Sequence, residues 1–279
     1  MIVDLRVRPP FGGYLETGIY KERKRTIGMV EAQGYTPSPS LVNASFDAFL
    51  HEFERSKVDV CVVPGRHTTP SYGQVPNEDL SNLARQHPGK FLCFAAVDTA
   101  SPRAADQLEA AVRDLGLAGL VLDAGFHDPA QYVDDPAFEP LYRRCSQLRV
   151  PALITYSGHA GPDIGYADPV RLDRVAAAFP DLSIVVVHAA WPWIPQIFGV
   201  AFRRQNVYLS PDMYMVNMPG SGLYVEAANG VLRDRMFFGS GYPFLPLDDA
   251  VAYYMQLPFK PDALRAIMGE NAARLFKLG

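Results

Sequence analysis

Short runs of apolar, largely β-branched residues recur along the chain: Ile2–Val7, Val58–Val63, Phe91–Val97, Gly119–Leu122, Ala152–Ile154, Ser183–Val187, Val207–Leu209 and Met236–Phe238. They are continuous rather than alternating, which is how parallel strands buried on both faces read. Between them lie stretches of helical periodicity: Ser45–Ser56, Asn77–Gln86, Pro102–Leu115, Pro136–Gln147, Pro169–Phe179, Pro192–Arg203, Leu223–Arg233 and Leu247–Gln256, with one further helix over Pro261–Leu278. Several begin at a proline or carry an acidic first turn, both suited to the free amides of a helix start. Eight β/α units within 279 residues predict a single-domain (β/α)8, or TIM, barrel spanning 1–279. A doubly wound sheet is the alternative. Its glycine-rich turn after the first strand is missing, because Leu5 runs into Arg6-Val7-Arg8-Pro9-Pro10. Residues 9–44 are polar and rich in glycine and proline, too long for a plain connection, and are predicted to form a lid or an oligomer arm over the active end. Their basic stretch Lys21-Glu22-Arg23-Lys24-Arg25 is expected to be a solvated or intersubunit face.

Composition narrows the partners. A hydrophobic fraction of 48% with 20% charged residues is that of a packed globular protein. Twenty-six basic against thirty acidic side chains, net −4, leave no electrostatic footprint for nucleic acid or an anionic membrane. No apolar run reaches membrane-spanning length, and Met1 leads straight into Ile2-Val3-Asp4 without a signal-like region. Cys61, Cys93 and Cys145 are odd in number and sit in apolar text, so they read as buried thiols in a reducing cytoplasm.

Barrels of this kind carry their chemistry at the C-terminal ends of the strands, so position filters the candidates. Arg6 and Arg8 are spaced i, i+2 on the first strand and share a face; buried there, they need Asp4, Asp98, Asp123, Asp212 or an anionic ligand. The bland alternative is an internal ion-pair network. Arg66, after Pro64-Gly65, is a third donor for a small carboxylated substrate. His188 closes the most hydrophobic strand, Ile184–Val187, and is the candidate acid/base, with Asp212 in Ser210-Pro211-Asp212 to orient it. His159 and Tyr242 complete the candidate substrate-binding set, Tyr242 as a group that closes the pocket. His51 and His87 fall on helices, and Trp191 and Trp193 read as packing residues.

The opening Asp4-Leu5-Arg6-Val7-Arg8, the run from Pro151 to Gly158, Val187-His188-Ala189-Ala190, the closing Phe238-Gly239-Ser240-Gly241-Tyr242-Pro243 and the final Gly269–Phe276 helix together resemble the amidohydrolase-related barrels. These include aminocarboxymuconate semialdehyde decarboxylase and the resorcylate decarboxylases. The resemblance spans nearly the whole chain and implies a barrel with hydrolase or lyase chemistry at a metal centre. The departures fall on that centre. The family's first strand carries His-x-His where this chain has Arg6 and Arg8, its fifth-strand histidine is replaced around Thr155 or Tyr156, and its closing aspartate is Gly241. Of the implied ligands only His188 keeps its identity. A zinc site cannot then be assembled from the usual positions, and the metal-bound water that lowers a nucleophile's pKa is not available by that route.

Fixed positive charge can replace a cation where a carboxylate or enolate must be held. The sequence therefore predicts a metal-independent, cofactor-free enzyme acting on a small carboxylated, aromatic or enolic compound by decarboxylation, ester or lactone hydrolysis, or a proton shift. It is expected to be a cytoplasmic homo-oligomer. Two rivals stand beside it: a zinc or similar ion held by His159, Asp163, His188 and Asp212, and a ligand-binding barrel without catalysis.

Overall fold

Each apolar run has two faces to bury, and closing the strands into a ring buries both at once. The computed structural model, which describes residues 1–279, forms this ring from β1 (Val3–Asp4), β2 (Val60–Pro64), β3 (Phe91–Phe94), β4 (Leu120–Leu122), β5 (Ala152–Thr155), β6 (Ile184–Val187) and β7 (Val207–Ser210). Neighbours pair in parallel, with registers such as Asp4 with Cys61, Cys61 with Phe91, Leu122 with Ile154, Thr155 with Val187 and Val187 with Ser210. A bridge from Ala95 to Leu120 joins β3 to β4.

The eighth run, 236–238, closes the ring without forming a regular strand. Phe237 N–H donates to Leu209 C=O at 2.9 Å and Leu5 N–H to Phe238 C=O at 3.1 Å, but Phe238 N–H turns to Ile267 C=O at 2.8 Å in the C-terminal helical region. A ladder bond is thereby diverted, and the run stays short. Inside the ring Val3, Leu5, Val62, Phe94, Leu153, Val185, Val187 and Phe237 form one cluster. Ala272 belongs to the same cluster, and the Phe276 ring lies 5.7 Å from Phe94 and 6.2 Å from Phe237, so the last helix plugs the floor. The outward side chains Cys61, Val63, Leu120, Ile154, Val186 and Leu209 join the larger cluster beneath the helices. One of those helices, α1 (Phe46–Ser56), starts at Ser45, whose hydroxyl accepts Ala48 N–H at 3.2 Å.

Residues 9–44 are helical rather than loop-like. A 3-10 turn, Gly12–Glu16, is followed by helices Gly18–Lys21, Arg23–Ala32 and Pro39–Asn43. Their glycines and prolines punctuate short turns, which is why no long apolar period is readable there. The segment is tied across the ends of β1 and β2: Tyr14 hydroxyl donates to Pro64 C=O, Tyr20 hydroxyl donates to Arg8 C=O at 2.6 Å, and Gly13 N–H donates to Asp79 at 2.8 Å. The basic stretch lies mostly at the surface, where Lys21 pairs with Glu16 and Arg25 with Glu22. No helix is long and apolar enough to cross a membrane.

Gly119 opens the approach to β4 at a point where the strands have no room for a side chain. A methyl group there would collide with the Pro151 carbonyl oxygen and lie 2.9 Å from the Phe94 ring. Gly119→Ala is therefore expected to lower stability by roughly 1–3 kcal/mol, the usual cost of overpacking, read as a drop in the urea midpoint. An unchanged midpoint would show that β4 and β5 can move apart freely.

Candidate active site

Val3 and Leu5 point into the ring, so simple alternation would turn Arg6 and Arg8 outward. A bend at Leu5 reverses this. Asp4 Oδ1 accepts the backbone N–H of Arg6 at 3.1 Å and that of Ser240 at 2.9 Å, pinning the bend to the closing segment. Val7 then joins the outer cluster, and Arg6 reaches across the ring so that its Nη2 donates to Thr155 Oγ1 at 3.0 Å. Burial pushes the Asp4 carboxyl up to about 7, Ser240 opposing, so at neutral pH this acceptor carries only part of a charge.

Three guanidinium groups converge. Arg6, Arg8 and Arg66 are 1%, 6% and 7% exposed. Gly65 lets the chain turn into Arg66, since a methyl group there would lie 2.7 Å from Ala96 N and Phe94 O. The Arg66 guanidinium stacks over Tyr72 and Phe126 at 5.8 and 5.6 Å, with Nε 3.7 Å from Asp123, an ion-pair distance too long for a hydrogen bond. Burial pulls the Arg6 pKa down, Asp123 and Asp212 resist and Arg66 adds to the depression; Arg8 is depressed further, by burial, Arg6 and Arg66. For Asp123 burial favours the neutral acid, yet Arg66 and then Arg6 outweigh it and hold the carboxyl below its usual range. Arg6 Nε and Nη1 and Arg66 Nε are buried without a hydrogen-bond partner, as are Asp4 Oδ2, Asp123 Oδ1, Asp212 Oδ2 and Ser210 Oγ.

His188 and Asp212 meet as the strand-end positions predict: Nδ1 lies 2.8 Å from Oδ1. The backbone is bent to bring them there. His188, Ala189 and Ala190 have φ of +69°, +41° and +56°, and Asp212 has +43°, a left-handed region that costs on the order of 1–3 kcal/mol per residue. Ala190 N–H to Tyr156 C=O at 2.9 Å and Trp191 N–H to His188 C=O at 3.1 Å hold the turn. Burial lowers the His188 pKa below 6.5; Asp212 opposes this, and Arg6 and Arg8 add to it. The imidazole is thus neutral at pH 7, with its Nδ1–H on Asp212 and Nε2 free to accept a proton. Tyr214 stands edge-on to His188 at 5.2 Å and stacks on Trp191 at 5.3 Å.

The other candidates lie elsewhere. His159 and Asp163 are exposed, and Asp163 accepts Gly165 N–H at 2.8 Å to cap a short turn. Tyr242 is fully buried with its hydroxyl on Ser40 and Glu52, so it sits in the framework behind Arg8 rather than closing a pocket. Thr155, Asp123, Tyr14 and Tyr214 join the site's setting through contacts that only folding creates.

The family profile described as Amidohydrolase matches residues 37–278. The chain belongs to the amidohydrolase family. This amidohydrolase-family enzyme is 26% identical over 264 residues to gamma-resorcylate decarboxylase of Rhizobium radiobacter, covering 78% of this chain and 80% of that one. It superposes on an uncharacterised TIM-barrel protein from Bordetella bronchiseptica with a TM-score of 0.94 and 38% identity, covering 99% and 98% of the two chains. A dihydroxybenzoic acid decarboxylase from Polaromonas, solved with manganese and 2-nitroresorcinol, has the same fold at TM-score 0.67 and 19% identity, covering 99% and 97%.

The side chains of this amidohydrolase-family chain do not assemble three ligands for a divalent ion. No three His, Cys, Asp or Glu side chains converge as ligands, so His159 and Asp163 do not join His188 and Asp212. Arg6 and Arg8, in the first-strand positions, have no lone pair to donate. Asp4 spends Oδ1 on two backbone amides and keeps Oδ2 unpaired, but a single carboxylate oxygen without two further ligands beside it does not make a site.

Proposed function

We propose that this enzyme is a decarboxylase-like lyase for a small hydroxylated aromatic carboxylate, and that arginines do the electrostatic work a divalent ion does elsewhere. The observation that carries the reading is the unpaired N–H of Arg6 beside the His188–Asp212 pair, with a further unpaired N–H on Arg66 against Asp123. Arg6, Arg8 and Arg66 bring three positive charges against Asp123, Asp212 and a partly ionised Asp4, and a bound carboxylate adds the missing negative charge. Its similarity to gamma-resorcylate decarboxylase supports the substrate class.

The substrate carboxylate accepts hydrogen bonds from Arg6 and Arg8, with Arg66 on a second anionic oxygen. His188 Nε2 takes the proton of a ring hydroxyl ortho to the carboxylate, which raises electron density at the ring carbon bearing it. The imidazolium, stabilised by Asp212, gives the proton to that carbon. That transfer returns His188 to the neutral form; the C–CO2 bond then breaks, its electron pair restores the aromatic ring and pushes the carbonyl π electrons onto oxygen, and the resulting phenolate takes one proton from solvent.

Protein purified without added metal is expected to release CO2 from 2,6-dihydroxybenzoate at a rate that EDTA changes by less than twofold, with less than one zinc or manganese per ten chains by elemental analysis. A stoichiometric ion whose removal abolishes turnover would sink the metal-independent reading. Tight binding of hydroxybenzoates with no product would favour a binding barrel.

A further inference from the structure

Glu52 lies outside this chemistry. It projects from α1, is 5% exposed and makes no ion pair. Burying a carboxylate without a cation is costly unless several donors satisfy it. Here they do: Oε1 accepts Ser40 N–H at 2.8 Å, and Oε2 accepts the Ser40 hydroxyl at 2.5 Å and the Tyr242 hydroxyl at 3.3 Å. Ser40 belongs to the 9–44 segment and Tyr242 to the stretch that closes the ring, so one carboxylate fastens the cover to the barrel. Because the Ser40 and Tyr242 hydroxyls also contact each other, the network is coupled through Glu52.

The same fastening reaches the site. Tyr242 C=O accepts Arg8 N–H at 3.2 Å, and Tyr20 hydroxyl, from the cover, donates to Arg8 C=O at 2.6 Å. Both backbone groups of Arg8 are therefore held by elements that Glu52 joins.

We infer that Glu52 is a positioning residue, a latch that holds the 9–44 segment against the barrel and thereby fixes Arg8. The part concerning Arg8 rests on the function proposed above. The cover carries its own reporter, since Lys21, Arg23, Lys24 and Arg25 are trypsin sites at or near the surface. Cleavage of native protein there measures local opening. In the full chain, Glu52→Ala is expected to speed cleavage within 21–25 at least tenfold while sites elsewhere stay uncut, and to raise KM for 2,6-dihydroxybenzoate about tenfold with kcat within twofold. Glu52→Gln, which keeps one carbonyl acceptor, should recover part of both effects. Cleavage at the wild-type rate, or loss spread evenly over all trypsin sites, would overturn the latch. If Glu52→Ala does not fold, Tyr242→Phe, which deletes one hydroxyl, decides by the same trypsin readout. If wild-type protein ignores 2,6-dihydroxybenzoate, the proposed function fails and the trypsin result alone decides the latch.

Discussion

His188→Asn is expected to cut turnover by roughly 10²–10⁴-fold, the range for loss of a general acid/base, while the barrel stays folded. Asparagine is chosen for two reasons. Its amide N–H can still donate to Asp212 Oδ1, which His188 holds at 2.8 Å, and it is among the residues that best tolerate the +69° φ found there. What it lacks is a nitrogen that exchanges a proton near neutrality. The wild-type rate should fall with acid, because the mechanism starts from neutral imidazole, and the limb should lie below 6.5, where burial, Arg6 and Arg8 push this pKa against the pull of Asp212. Stability follows the same sign: below pH 6.5 the unfolded chain protonates His188 first, so wild-type stability declines down to the folded pKa, and the variant should lose that decline. The check is CO2 release across pH 4.5–8.5 with thermal melts alongside. A variant rate within threefold of wild type removes His188 from the mechanism.

What the sequence reveals depends on whether a feature is local. Ile184–Val187 is apolar on both faces, and that alone announces an interior strand with His188 at its end. The ring and the His188–Asp212 meeting follow from such runs and from strand-end position. Features made by distant contacts are not readable in this way. Spacing places Arg6 and Arg8 on one face, but which face depends on Asp4 gripping Ser240 across the seam, 236 residues away. Phe238 is apolar enough for a strand, yet Ile267 takes its N–H. Tyr242 sits in the most family-like motif and looks like a pocket residue; its hydroxyl instead serves Glu52 on the outer layer. Tyr14 lies in text without a helical period and comes to the arginines only because its hydroxyl meets Pro64. His159 is polar and at a strand end, but nothing around it turns it inward.

Arg6→Met should separate stability from activity in opposite directions. Arginine here is 1% exposed, makes one side-chain hydrogen bond, to Thr155, and buries Nε and Nη1 without partners. Removing one member of a buried ion pair is usually destabilising because it strands the other charge. The local balance decides otherwise in this case. With Arg6 gone, Asp123 still faces Arg66 at 3.7 Å and Arg8, and Asp212 keeps its hydrogen bond to His188. Methionine fills much of the same volume and leaves no N–H unpaired. The variant is expected to gain roughly 1–3 kcal/mol, the range seen when poorly compensated buried charges become apolar, read from urea unfolding. Its kcat/KM for 2,6-dihydroxybenzoate should fall roughly 10²–10³-fold, since the substrate carboxylate loses a charge-assisted donor in a dry site. A variant that loses stability and keeps its activity would mean that Arg6 belongs to a satisfied internal ion network, and the surplus of positive charge that draws a carboxylate into this barrel would have to come from Arg8 and Arg66 alone.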